Sequence, residues 1–356
     1  MAGAKGYSSY RGRGSKWKIL LAILLVAVIA VAASVIYLEQ FMVYSADGRR
    51  QIVLPWQTEG EEPPLADGQG DSEVQPEVDL VVREPESAVP ETFTAFSLPA
   101  RALTMADWQE ALAGKPTGQE AVAVRLKTSA GTVYFDAASA VSGAVETAVD
   151  TAAALADLTA REGLYTIASL ACLQDFKAAN ADVESRGLKN TGGYIFYDGN
   201  NSLWLDPAKP ATREYVCALA REIAELGFDE LLLTDFSYPT VGKINKIHYN
   251  TDVPLADNLD LLLSDLSTAL ESYDILLSVE IPEAVIAEGP DSVAGLDLSR
   301  LVSRVDRIYA ATTPDRVEQL SALVAQAAGE NGKTVFVPEL TADSPELTGS
   351  RLLLAE

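Results

Sequence analysis

Five carboxylates stand where a chain of alternating strands and helices would gather its chemistry. Asp235 and Glu280 close the apolar runs Glu230–Asp235 and Ile275–Glu280, and Glu339 follows Thr334–Val337. Asp175 follows Leu164–Cys172, and Asp206 lies in the long connection after it. Two carboxyls on one rim can divide the work of glycosidic cleavage. One, protonated, gives its proton to the leaving oxygen; the other, ionised, attacks the sugar or activates water. Each acid also has a structural use, because carboxylates cap helices and face solvent, and this chain holds 51 of them. In the connection from Asn190 to Pro207, Tyr194, Phe196 and Trp204 are interleaved with glycines and amides. Flat rings stack on sugars while carboxylates and amides take up hydroxyls, so Tyr194, Trp204 and Asp206 are candidate substrate contacts. The same residues also describe a hairpin flap packed on the body of the domain.

Other chemistries have fewer residues to work with. His248 is the only histidine, which removes any His-rich zinc site and gives a Ser-His-Asp triad a single residue to draw on. There is no Walker sequence and no G-x-G-x-x-G, so neither a nucleotide nor any other cofactor is expected. The two cysteines, Cys172 and Cys217, fall on apolar faces and are expected as buried thiols, one bridge between them being the alternative.

Those acids need elements to hold them. Apolar strands are readable at Phe93–Leu98, Ala121–Leu126, Leu164–Cys172, Glu230–Asp235, Ile275–Glu280, Arg307–Ala310 and Thr334–Val337, with Val133–Phe135 as a short arm behind the second. Helical spacing lies between them. In Thr212–Leu226 the residues Val216, Leu219, Ala220, Ile223 and Leu226 share a face, and Gly227 ends the run. Further helices are expected at Ala144–Arg161, Ala256–Ser272 and Pro314–Gly329. Strand and helix alternate through residues 92–356, which predicts an α/β fold of (β/α)8 TIM-barrel type. Its C-terminal edge is closed or open according to whether Arg351–Ala355 supplies an eighth strand. A doubly wound open sheet is the other candidate, but Ser97-Leu98-Pro99-Ala100 is not the glycine-rich turn such a sheet carries after its first strand.

The N-terminal quarter has another character. Ile19–Leu38 is twenty residues long and apolar or small apart from Ser34 and Tyr37. As a helix it spans about 30 Å, the hydrocarbon thickness of a bilayer. Lys5, Arg11, Arg13, Lys16 and Lys18 precede it with no acid, so residues 1–18 are expected in the cytoplasm and the rest outside, on a single-pass anchor in the cell membrane. A cleaved signal peptide is the alternative, although its apolar core is usually shorter. Residues 39–56 read as a hairpin around Ala46-Asp47-Gly48. Residues 57–91 carry five prolines and eleven acids against the single base Arg83, the composition of an extended, disordered stalk. Removing the five N-terminal cations from the formal −24 leaves about −29 for residues 39–356, which repels nucleic acid.

Several motifs together are similar to the barrel domain of bacterial envelope proteins assigned as glycoside hydrolases, relatives of the alpha-amylase-like barrels. Gly163-Leu164-Tyr165-Thr166-Ile167-Ala168 resembles the family's G-I-Y-x-I-A, and Trp204-Leu205-Asp206-Pro207 its W-x-D-P. Gly227-Phe228-Asp229-Glu230 and Pro239 resemble the two ends of its G-F-D-E-I-Q-F-D-Y-V-R-F-P. The resemblance implies a barrel acting on, or binding, envelope or extracellular polysaccharide, with Asp175 and Lys127 as retained mouth residues that contact substrate. By analogy with barrel glycosidases it makes Glu339 a reserve nucleophile. It also marks departures. On the second strand the family's I-D-V-K-D-D becomes Val124-Arg125-Leu126-Lys127-Thr128-Ser129, keeping only the lysine. On the fourth, the family's aspartate falls on Thr234, and Asp235 comes one residue late.

A one-residue shift along a strand turns a side chain to the opposite face. Leu232 and Thr234 are therefore expected to point into the barrel and Asp235 toward the helices or over the rim, unless the strand end bulges or frays. Two functions follow from the sequence: a hydrolase with the rearranged acids Asp235 and Glu280, or a non-catalytic module binding glycan or protein through the same mouth.

Overall fold

The computed structural model describes residues 42–44, 50–52, 90, 92–99, 103–113, 120–330, 332–344 and 346–354. The expected membrane segment Ile19–Leu38, and the stalk apart from residue 90, lie outside them. Among the described residues no helix is long and apolar enough to cross a membrane. The chain divides into two units, Met1–Val81 and Val82–Glu356. In the first, Met42–Tyr44 pairs antiparallel with Arg50–Ile52.

The second unit is a closed barrel of eight parallel strands. They are numbered here β1 (Thr94–Pro99), β2 (Glu120–Lys127), β3 (Leu164–Ala171), β4 (Glu230–Thr234), β5 (Leu276–Glu280), β6 (Arg307–Ala311), β7 (Val335–Leu340) and β8 (Arg351–Leu353). The open-edge alternative is settled by β8. It pairs with β7 through Glu339 and Leu352, and with β1 through Arg351 and Thr94, so no strand edge stays free. The helices are α1 (Met105–Ala113), α2 (Ala152–Thr159), α3 (Phe176–Ala181), α4 (Pro210–Glu225), α5 (Leu255–Leu270), α6 (Glu283–Ala287), α7 (Leu298–Leu301) and α8 (Val317–Ala328).

Local sequence explains most of these limits. Helix α4 opens with Pro210, whose missing N–H costs nothing in a first turn, and buries Tyr215, Val216, Leu219, Ala220 and Ile223. It stops at Gly227, which takes a φ of +85°. The helix expected over Ala144–Arg161 is confined to α2. Its first residues are drawn instead to the arm, where Val133 N–H donates to Ala144 and Glu146 N–H donates to Val133. Those backbone groups are satisfied without a helix.

Strand alternation sorts the core into two parts. Phe93, Ala95, Ala121, Ala123, Tyr165, Ile167, Leu232, Tyr309, Val337 and Leu352 pack on one another inside the barrel. The opposite faces of the strands pack on the helices in a larger cluster that includes Val122, Val124, Leu231 and Leu233. At the N-terminal end of the lumen, Arg307 of β6 is ion-paired with Glu230 of β4, and Tyr165 of β3 donates to the same carboxylate at 2.8 Å. The guanidinium also lies 5.1 Å from the Phe93 ring and 5.3 Å from the Tyr165 ring. These groups tie β3, β4 and β6 together at the floor, against Phe93 just ahead of β1. The open end of the barrel is the opposite one.

Candidate active site

Alternation carries three charged side chains to the inner face at that open end. Arg125 stands two residues beyond the inward Ala123, and Glu339 two beyond the inward Val337. Glu280 is in register with the inward Tyr309. Asp235 reaches the same rim by another route. Strand β4 ends at Thr234, and Asp235 adopts a φ of +50°, a left-handed conformation that few side-chain-bearing residues occupy. The inward position of Leu232 agrees with the parity expectation, but the left-handed residue ends the alternation. Of the two expected placements, toward the helices or over the rim, the surroundings of Asp235 are those of the rim: its carboxylate feels Lys127 and Arg125 and is felt by Glu280.

The electrostatics join these residues into one unit. Burial, and then Glu280 beside it, push the Glu339 carboxyl up to about 8, against the pull of Arg125. Burial and Asp235 raise Glu280, and Arg125 again opposes them. Burial raises Asp235, while the Ser129 hydroxyl, Lys127 and Arg125 hold it down. Like charges in a low-dielectric surrounding resist ionising together, so Glu280 and Glu339 titrate as a coupled pair that retains a proton near neutrality, with Asp235 beside Glu280. Glu339, only 5% exposed, is where that proton is held most firmly.

Four other expected contacts are placed differently. Lys127 and Asp175 are 1% and 0% exposed and pair with each other at 2.9 Å. Lys127 also donates to the Ala171 carbonyl at 2.5 Å. Asp175 caps α3 by accepting the Ala178 N–H at 2.8 Å and takes the Tyr215 hydroxyl at 3.2 Å. Both are buried, and their charged groups are engaged with each other and with the surrounding backbone and Tyr215 hydroxyl. Asp206, fully buried, accepts from Asn250 at 2.7 Å and from the Ala208 N–H at 3.1 Å. Trp204 is 7% exposed, packs in the core and donates its indole N–H to Asp198 at 3.0 Å. Tyr194, at the tip of the same connection, is 76% exposed.

Sequence reasoning passed over Arg125 and Ser129. The signal for Arg125 was available: it is the only charge within the apolar run Ala121–Leu126. An isolated charge in a buried strand needs either a partner or an opening. Cys172 and Cys217 are buried and free. Among the described residues no group of His, Cys, Asp or Glu is disposed to hold a metal ion.

A closed parallel barrel with its acids at the C-terminal ends of the strands is the architecture of many enzymes, and the match to known families narrows the class. Residues 108–336 match the family described as "Putative glycosyl hydrolase domain", and the chain belongs to it. Asp235 and Glu280 lie inside the matched span, and Glu339 lies just beyond it. No curated protein matches the chain. Among solved structures, it is similar to a hypothetical protein from Ruminiclostridium thermocellum ATCC 27405, at 21% identity over 52% of this chain and 96% of that one, TM-score 0.45. It is also similar to the PgaB (BpsB) glycoside hydrolase domain from Bordetella bronchiseptica, at 15% identity over 70% and 84%, TM-score 0.49. A chitinase from Chromobacterium violaceum ATCC 12472 matches at 14% identity over 70% and 68%, TM-score 0.39.

Proposed function

We propose that the barrel hydrolyses glycosidic bonds in a polysaccharide of the cell envelope or its surroundings, using Glu339, Asp235 and Glu280. The observation that carries this reading is that Arg125, Glu280 and Glu339 face inward at the same end of the barrel, with Asp235 near enough to act on Glu280. A carboxyl that holds its proton to about pH 8 donates better than it attacks, so Glu339 is assigned the general acid and not the nucleophile that family analogy implied. Its proton passes to the glycosidic oxygen as the bond to the anomeric carbon breaks, and the leaving sugar departs as an alcohol. Asp235, which burial raises against the opposing pull of Ser129, Lys127 and Arg125, acts once ionised: it either adds to that carbon or takes a proton from the attacking water. Glu280, between the other two, sets their charge balance, and Arg125 stabilises whichever carboxylate is ionised.

The test is turnover on a panel of envelope and plant glycans, read for both binding and released product. Glu339→Gln and Asp235→Asn are each expected to lower turnover by about 10²-fold or more. Asn tolerates the left-handed backbone at 235, so Asp235→Asn reports lost charge and not lost folding. Glycan binding by the wild-type chain without product, unchanged in both variants, would instead establish the binding module. That second reading is favoured by the acids replaced at Thr128, Ser129 and Thr234. We further propose display of the domain outside the cytoplasm on the anchor Ile19–Leu38, supported by its length and the five cations before it.

A further inference from the structure

The connections after β3 and β4 leave the rim side by side and form one flap. Lys189–Asn190 pairs antiparallel with Ile247–His248, and Lys189 also bridges Ile195. Thr191 N–H donates to the Lys246 carbonyl at 2.8 Å, and Gly199 N–H to Val241 at 3.2 Å. Leu188, Phe196 and Ile247 are buried beneath the flap. Alternation then sets Lys189, Tyr197 and His248 on its other face. Lys243, Lys246 and His248 are exposed, as are Tyr197 at 49% and Tyr194 at 76%.

The charge of the flap is unlike the rest of the chain. Acids outnumber bases 51 to 27 overall, yet residues 185–197 and 236–251 contain no acid at all. Lys189 is paired with Glu184 at 2.9 Å, whereas Lys243 and Lys246 have no ion-pair partner among the described residues. Two such ammonium groups on one connection, and two exposed tyrosines on the connection paired with it, make a surface suited to a sugar ring that carries a negative charge. The ring stacks on the aromatic face and the anion meets lysine.

Resting on the proposed glycan reading, we infer that the flap is a binding site for an anionic polysaccharide, one bearing carboxylate or phosphate groups. It holds a charged portion of the chain away from the acid cluster, where a like charge would be repelled. A strongly negative domain needs such a patch, because the rest of its surface turns a polyanion away.

Affinity electrophoresis and surface binding of the full chain in neutral detergent test this. The probes are polygalacturonate for carboxylate, polyglycerol phosphate for phosphate, hydroxyethylcellulose as a neutral glycan and phosphatidylglycerol vesicles as an anionic lipid surface. At least one of the two polyanions is expected to bind. The double variant Lys243→Glu, Lys246→Glu should weaken that binding by about tenfold or more, equivalent to roughly 1.4 kcal/mol. Raising the salt should weaken it too, because exposed charges are screened within about 10 Å at 0.1 M. Tyr194→Ala should weaken it without altering the salt dependence. Equal binding of charged and neutral glycans, indifference to charge reversal, or preference for the vesicles would each overturn the inference. All of these are binding readouts, so such a failure would leave the turnover test of Glu339 and Asp235 standing separately.

Discussion

Glu339 joins fold and function in one side chain. Its ordinary value of 4.5 is pushed up to about 8 in the folded domain, so between those limits the native state binds more protons than the unfolded chain. Stability must then fall as pH rises through that window, the contribution being fully present below 4.5 and lost above about 8. Thermal melts between pH 4.5 and 8 are expected to show this decline and Glu339→Gln to flatten it; an identical slope in the variant would mean that the proton sits elsewhere in the cluster. Activity should fall with the same proton, giving a basic limb near pH 8 in kcat/KM that reports loss of the general acid. Asp235 is the other residue at which a small backbone event matters. One left-handed φ ends the alternation of β4 there, so the facing of this carboxylate is not set by strand parity.

The elements that hold the rim depend on buried pairs. Lys127 of β2 and Asp175 at the start of α3 leave water together, and their attraction offsets that desolvation only while both are present. Asp175→Ala should cost about 3–5 kcal/mol by stranding the buried ammonium, checked by denaturant unfolding. Gly131 belongs to the same arrangement: a Cβ there would lie 2.2 Å from Asp175 Oδ1, and its φ is +80°. The flap has a comparable contact, where a Cβ on Gly242 would lie 2.5 Å from the Gly199 nitrogen at a φ of +91°. Gly242→Ala is expected to loosen the flap and leave the barrel intact. Amide exchange should quicken at Thr191 and Gly199, whose N–H groups donate across to Lys246 and Val241, but not in β3 or β4; unchanged exchange at both would show that the two connections are not held there.

On the scale of the whole chain, the barrel is read with an anchor and a spacer before it. The expectation of a cytoplasmic N-terminus predicts that protease added to intact protoplasts removes the residues beyond Gln40 and spares those before it. Protection of the barrel in that experiment would reverse the orientation. The acidic surface is the reason to expect few partners among polyanions except at the flap, where acids are missing over two paired segments.

The alternation of strand and helix was legible in the chain, because buried parallel strands are written as apolar runs such as Ala121–Leu126 and the helices between them as stripes of period 3.6. It also carried the strand-end acids and the family motifs, which are local in the chain. It left closure open, because β8 is only three residues long and acquires meaning from pairing with β7 and β1. Trp204, Asp206, Asp175 and Lys127 were read as ligand contacts because residue type does not record burial. Only the packing of the flap and rim shows that their polar atoms are already taken. The acid cluster, too, was decided by the tertiary structure. Arg125, Asp235, Glu280 and Glu339 come from four strand ends far apart in sequence, and the shifts of their carboxyls arise from mutual proximity and shared desolvation, which no single segment encodes.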